Sequence, residues 1–338
     1  MKLSAPLLLC MLSIPTAAFA QADKDVEAFF KGKTIRIVVG AAAGTAYDGY
    51  SRTIARHLGR FLPGAPQFVV NNMLGAGGMV TTNWLYNIAP KDGTAFGSIQ
   101  RQIPLMQILG EEGPRFETAK FNWLGNMATE TIVCISRHDS PVKTFDDVRK
   151  QELIVSSSGP NTSKTVPTFL NHVFGAKFKV VSGYSSAREA ALAVDRGEVG
   201  GTCSSYASLA LPNQSWFHGP NKVNLIIQDG LKRHPELPNT PLAIEMATNA
   251  EDKALVELFD TPLEMGRPYA LPPEVPAERV RAFRRAFDQM VKDKDFVAET
   301  TKQTLELVYM DGEEMQKLYE RLAKSPKAMI DRLKDALK

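Results

Sequence analysis

A β-branched run that passes through small residues into a helix, twice in succession, constrains this chain more than any other feature. Thr34 to Val39 reads as a strand and Gly40 to Thr45 as a small-residue loop, after which Tyr50, Ile54, Leu58 and Phe61 follow at helical spacing. The pattern repeats from Gln67 to Val70, through Gly75-Ala76-Gly77-Gly78, into a helix carrying Val80, Trp84, Leu85 and Ile88. A Lys91-Asp92-Gly93 turn then leads to a third strand, Thr94 to Ile99, ending at Gln100-Arg101-Gln102. Alternating strands and helices predict an α/β fold with parallel sheets, which bind ligands outside the carboxyl ends of their strands. Each small-residue loop lies at that end.

These loops read as anion cradles, because backbone N–H groups at a helix N-terminus attract negative charge. Neither carries nucleotide machinery. Gly44-x-x-x-x-Gly49 is followed by Tyr50-Ser51 where a P-loop requires lysine, and Val80 stands at the third-glycine position of a dinucleotide fingerprint. No cofactor is expected.

A second block begins near Asn126. Its strands read as Thr131 to Ser136, Glu152 to Ser156, Lys179 to Ser182, Val199 to Tyr206 and Val223 to Gln228. Ser156 to Ser163 (SSSGPNTS) forms a polar loop after one of them. Thr144 and Asp147, and again Ser186 and Glu189, stand at capping-box spacing, and Gly197 stands where the second helix should stop. The last third is mainly helical, with Val280, Phe283, Phe287, Met290 and Val291 on one apolar face and Met315, Leu318 and Leu322 on another. Arg267 to Pro276 is a proline-rich connector that no helix crosses.

The N-terminus reads as a secretory signal peptide: Lys2, an apolar run from Leu7 to Ile14, and Ala18-Phe19-Ala20 as a small-x-small cleavage site. The peptide is read as 1–20, or to 22. Loss of Lys2 takes the formal charge from +3 to +2, and the 40 basic and 37 acidic residues are intermixed, which argues against nucleic acid as a partner. With 338 residues, 44% of them hydrophobic, the chain can bury two cores. Cys10 leaves with the peptide; Cys134 and Cys203 remain, either paired in an oxidising compartment or as two buried thiols. His57, His138, His172, His218 and His234 show no metal-ligand spacing, and no Gly-x-Ser-x-Gly elbow is present. Neither a metal site nor catalytic residues are expected.

Five segments in this order resemble one family: IRIVVGAAAGTAYDGYSRTIARHLG, VVNNMLGAGG, APKDGT, GYSSAREAALAVDRGEVGG and MGRPYALPPEVPAERV. They are similar to the Bug or TctC-type receptors, the periplasmic substrate-binding proteins of tripartite tricarboxylate transporters, over essentially the whole mature chain. The resemblance implies a two-lobed type II periplasmic-binding fold with two chain crossings and a cleft between the lobes. It implies a periplasmic, monomeric, non-enzymatic receptor that captures a small organic carboxylate and delivers it to integral-membrane permease subunits. Two readings stand beside it: a secreted hydrolase or transferase on this fold, and a ligand-sensing partner of a membrane sensor kinase. Residues 23–128 plus 240–338 are expected to form the first lobe and 129–239 the second, with crossings near 126–130 and 229–242.

The sequence departs from the family twice. Ala43-Gly44-Thr45 replaces a Pro-Gly-Gly-type opening, and Gly200 follows Gly197-Glu198-Val199 where an Asp is usual. The candidate ligand-binding residues of the first lobe are Ala43, Gly44, Thr45, Tyr47, Asp48, Gly77, Gly78 and Arg101. Asp48 reads either as a helix cap or as a polar ligand contact, and Arg101 either as a clamp on a second carboxylate or as a salt bridge. In the second lobe the candidates are Ser157, Ser158, Asn161, Thr162, Ser163, Tyr184, Ser185 and Tyr206. A carboxylate is the class of ligand that such N–H groups and hydroxyls hold.

Overall fold

Two sheets share the strands of this computed structural model, which describes residues 16–338 apart from Pro160, Leu211, Pro212, Pro220 and Asn221. The apolar run Leu7 to Ile14 of the expected signal peptide lies outside the described residues. In chain order, β1 (Thr34–Val39), β2 (Gln67–Asn72), β3 (Ala95–Ser98) and β4 (Asn122–Asn126) belong to the first sheet. The chain then crosses to the second sheet for β5 (Ile132–Ser136), β6 (Leu153–Ser157), β7 (Phe178–Ser182), β8 (Gly201–Ser205) and β9 (Asn224–Asp229). It returns for β10 (Pro268–Leu271), which lies inside the proline-rich connector, and β11 (Met310–Asp311).

Both sheets are mixed, where the alternation predicts parallel ones. β1 runs parallel to β2 and β3, and β6 to β7 and β8. β10 is antiparallel to β3 and β4, and β5 is antiparallel to β8 and β9. The crossings explain the difference. A helix that returns over its own sheet delivers a parallel neighbour, whereas a strand arriving from the other lobe enters at the cleft end and runs the opposite way.

The first sheet is covered by the helix Ala277–Met290, whose residues Val280, Phe283, Phe287 and Met290 are buried. Phe96 of β3 stacks edge-on against Phe283 and Phe287 at 5.6 and 6.0 Å between ring centres. The helix Thr144 caps, Phe145–Lys150, shows the expected reciprocal box with Asp147. Ser186 caps Ala187–Asp195 through the Glu189 N–H, while the Glu189 carboxylate takes the Ser185 N–H instead of the Ser186 one.

The C-terminal part is divided between the lobes, where the sequence assigns all of 240–338 to the first. Helix Ala250–Glu264 packs against the second lobe, with Phe259 stacked on Phe169 of helix Thr162–Phe174 at 4.0 Å. Helix Lys327–Ala336 contacts both of these helices. The return to the first sheet therefore falls between Glu264 and Pro268, beyond the 229–242 segment. Leu242 remains attached to β9 by a bridge to Gln228.

Cys134 and Cys203 lie directly opposite each other on β5 and β8 and are joined in a disulfide. At the end of β9, Asp229 and Asp260 are wholly buried against each other, and Gly230 donates its N–H to Asp260 at 3.0 Å. Burial pushes Asp229 up to about 7, and burial together with the neighbouring Asp229 raises Asp260.

Two predictions follow from these pairs. Cys134→Ala with Cys203→Ala opens a loop spanning a separation of 69 residues and should cost about 4 kcal/mol in urea unfolding. An unfolded Asp titrates at about 3.9, so the folded pair keeps protons that the unfolded chain has lost; the pair's contribution to stability is fully present below about pH 4 and falls as pH rises towards about 7. Asp229→Asn should flatten that fall in unfolding curves taken across the range; an unchanged slope would show that the pair does not hold the proton.

Candidate ligand site between the lobes

The loop after β1 is organised by one carboxylate. Gly44 takes a left-handed backbone, φ +80°, and Thr45 is extended at the N-cap of helix Ala46–His57. Asp48, in the helix's first turn, accepts the Gly44 N–H at 2.9 Å, Arg52 Nε at 2.9 Å and Asn72 Nδ2 at 3.0 Å. Burial opposes its charge, but these hydrogen bonds hold the carboxyl below its ordinary range. Asp48 thus ties the loop ahead of the helix to its first turn, and it also lines the cavity described below. Arg56 and His57 in the last turn complete the favourable charge order along the helix.

Behind this loop the two chain crossings are bonded to each other. Met127 donates its N–H to the Arg267 carbonyl, Glu130 donates to the Leu263 carbonyl at 2.8 Å, and the Asn126 side chain accepts the Arg267 N–H at 2.6 Å. Gly266 is required there, because a Cβ at that position would stand 2.6 Å from the Ala128 carbonyl oxygen.

At the crossing, one glutamate sits between two arginines. Arg267 donates to Glu130 Oε1 at 2.6 Å, and Arg101 approaches Glu130 Oε2 at 3.7 Å. The three side chains are 12%, 16% and 8% exposed for Arg267, Arg101 and Glu130 respectively. Burial opposes ionisation of Glu130, yet Arg101 and Arg267 together hold its carboxyl below the usual range. Glu130 in turn keeps Arg267 firmly charged against the cost of burial. The Arg267 guanidinium also lies over the Tyr47 ring at 4.6 Å, and Tyr47 Oη accepts the Arg101 N–H at 3.2 Å. Two cations and one anion leave a net positive charge, and Arg267 Nε has no hydrogen-bond partner.

Glu130 and Arg267 open onto a cavity of about 580 Å³, whose walls come from the first loop and helix start (Gly44, Thr45, Asp48), from Ser205 at the end of β8 and Tyr206 beyond it, and from the segment Gln303 to Glu306. Tyr206 Oη is held by Glu236 at 2.5 Å, and Tyr50 Oη donates to the Glu306 carbonyl. Arg101 faces a second cavity of about 350 Å³ on the other side of the triad, where Asn161 and Thr162 also lie.

The candidates named from the sequence therefore divide. Gly44, Thr45, Asp48 and Tyr206 line the larger cavity, Arg101, Asn161 and Thr162 the smaller, and Tyr47 lies beneath the triad. Ala43, Gly77, Gly78, Ser157, Ser158, Ser163, Tyr184 and Ser185 line neither. Gly77 and Gly78 sit beside Gln102 and Gln100. The second-lobe loop is bonded to itself: Ser163 Oγ donates to Asn161 Oδ1 at 2.6 Å, Asn161 Nδ2 to Ser158 Oγ at 3.0 Å, and Ser163 Oγ reaches Ser157 Oγ at 2.9 Å. Tyr184 packs beside the Val133 and Ile135 cluster, and Ser185 gives its N–H to Glu189 at 2.6 Å. Of the residues missed, Arg267 carried a signal in Gly266-Arg267-Pro268 of the connector; Glu130, Ser205, Gln303 and Glu306 carried none.

No family model matches the sequence, and no curated protein matches it. Solved structures do match. A TctC solute-binding protein from Polaromonas aligns with a TM-score of 0.71 at 18% identity, over 89% of this chain and 99% of its own. The periplasmic binding protein BugD aligns at 0.62 and 19% identity, over 90% and 97% of the two chains. A Rhodopseudomonas palustris protein with adipate aligns at 0.62 and 17%, over 90% and 96%. This chain has the TctC and Bug binding-protein fold. Within that fold the Gly200 departure falls away from the cleft: it precedes β8, whose opposite end leads into the cavity residues Ser205 and Tyr206, and a side chain there would meet Leu153 at 2.9 Å.

Removing Glu130 would leave two buried guanidinium groups unpaired. Glu130→Ala should lower unfolding stability by about 3 kcal/mol, read from urea midpoints; a loss below about 0.5 kcal/mol would place the triad in effectively aqueous surroundings.

Proposed function

We propose that the chain is a periplasmic receptor that captures a small organic carboxylate between its lobes and hands it to integral-membrane permease subunits, acting as a monomer and without chemistry. The single observation that carries this reading is the buried cluster of two arginines about one glutamate, with Arg267 at the larger cavity and Arg101 at the smaller one. A buried cation with unused donors is costly until an anion reaches it, and a carboxylate offers the two acceptor oxygens that a guanidinium matches. The N-terminus of helix Ala46–His57 adds favourable potential from the first lobe. The cavity has the size of a small-molecule site. The fold supports the reading, as does the adipate in the R. palustris neighbour. The signal-peptide pattern supports export.

Binding between lobes joined at two crossings favours the closed arrangement by the ligand's differential affinity for it. The test is a thermal-shift panel on refolded protein, covering carboxylates, phosphate and neutral sugars. A carboxylate at a hundred times its Kd should stabilise by about 2.7 kcal/mol, and Arg101→Ala should reduce that shift. A panel in which sugars shift the protein and carboxylates do not would overturn the reading.

A further inference from the structure

The smaller cavity has a different chemistry from the larger one. It is built from both lobes: Leu105, Met106 and Leu109 come from the first, Phe259 and Leu263 from helix Ala250–Glu264, and Leu337 from the chain's end. Among its lining residues Arg101 is the one cation and Glu111 the one anion. Arg101 also touches Glu130, which lines the larger cavity, so the two spaces meet at the triad. Leu105, Met106, Phe259 and Leu337 are only partly buried, so they present apolar surface that a ligand's hydrocarbon would cover.

We propose that this cavity is a ligand chamber in its own right beside the larger one, and that it receives the hydrocarbon arm of a monocarboxylate whose head lies on Arg101. The inference rests on the carboxylate-receptor reading and narrows it. A linear or aryl-bearing chain leaving the guanidinium enters a space of about 350 Å³ walled by leucine, methionine and phenylalanine. A second carboxylate at the far end of such a chain would be stripped of water among apolar walls and would share the space with Glu111, whose charge already has Lys334 as its partner. The wall comes from both lobes, so an apolar arm links helix Ile103–Ile108 to helices Thr162–Phe174 and Ala250–Glu264 and favours the closed form.

Calorimetric titration of the refolded full chain with the straight-chain series acetate, butyrate, hexanoate and octanoate tests this, with suberate as the dicarboxylate matched to octanoate. The expected result is a Kd that tightens about fourfold for each added methylene, octanoate binding more tightly than suberate. Met106→Gln and Leu337→Gln should each flatten the slope; the wild-type series decides the matter even if a variant fails to fold. A flat series in which the short acids still bind overturns the second chamber and leaves the receptor reading standing. Suberate binding more tightly than octanoate overturns the monocarboxylate preference. Failure of every straight-chain acid to bind, while another carboxylate of the thermal-shift panel still stabilises the protein, overturns this proposal alone; failure of both overturns the receptor reading with it.

Discussion

The placement of Glu130 between Arg101 and Arg267 is the interaction on which the arrangement of this molecule turns. Glu130 belongs to the first crossing, Arg267 to the return, and Arg101 to the loop beyond β3, so one cluster joins both crossings to the first sheet. Taking three charges out of water is expensive, and the backbone around them repays part of that cost by fixing geometry: Asn126, Met127 and Glu130 all bond across to residues between Leu263 and Arg267. Gly266 permits the approach. On the proposed reading, a ligand's anion meets the cluster where Arg267 reaches the larger cavity or Arg101 the smaller.

The two lobes meet that space unequally. The first-lobe loop is preorganised, because Asp48 takes up hydrogen bonds from Gly44, Arg52 and Asn72 and so ties the loop to the helix and to β2. The second-lobe loop spends its hydroxyls on itself through Ser157, Ser158, Asn161 and Ser163. On the proposed reading, specificity comes from charge at the crossing and from the shape of the apolar chamber, since the second-lobe hydroxyls are bonded to one another.

Much of the fold was legible because it rests on local pattern. The strands at Thr34 to Val39 and Thr131 to Ser136 announce themselves by β-branched runs, and Thr144 and Ser186 by capping spacing. The sheet directions were not legible, since they depend on which strands arrive from the other lobe; β10 in particular is four residues beginning and set among prolines. The ownership of helix Ala250–Glu264 was hidden for a similar reason, as its apolar face carries no mark of which sheet it will cover. At the site, loop residues near helix starts were readable from composition, whereas Glu130 became significant only once two distant arginines were brought to it.

A crystal structure of the refolded protein grown with the carboxylate that stabilises it most tests the central claim directly. The account predicts one molecule per chain, its carboxylate within hydrogen-bond distance of the Arg101 or Arg267 guanidinium and the lobes closed over it. A ligand bound elsewhere, with Arg101, Glu130 and Arg267 paired as they are without it, would contradict the account.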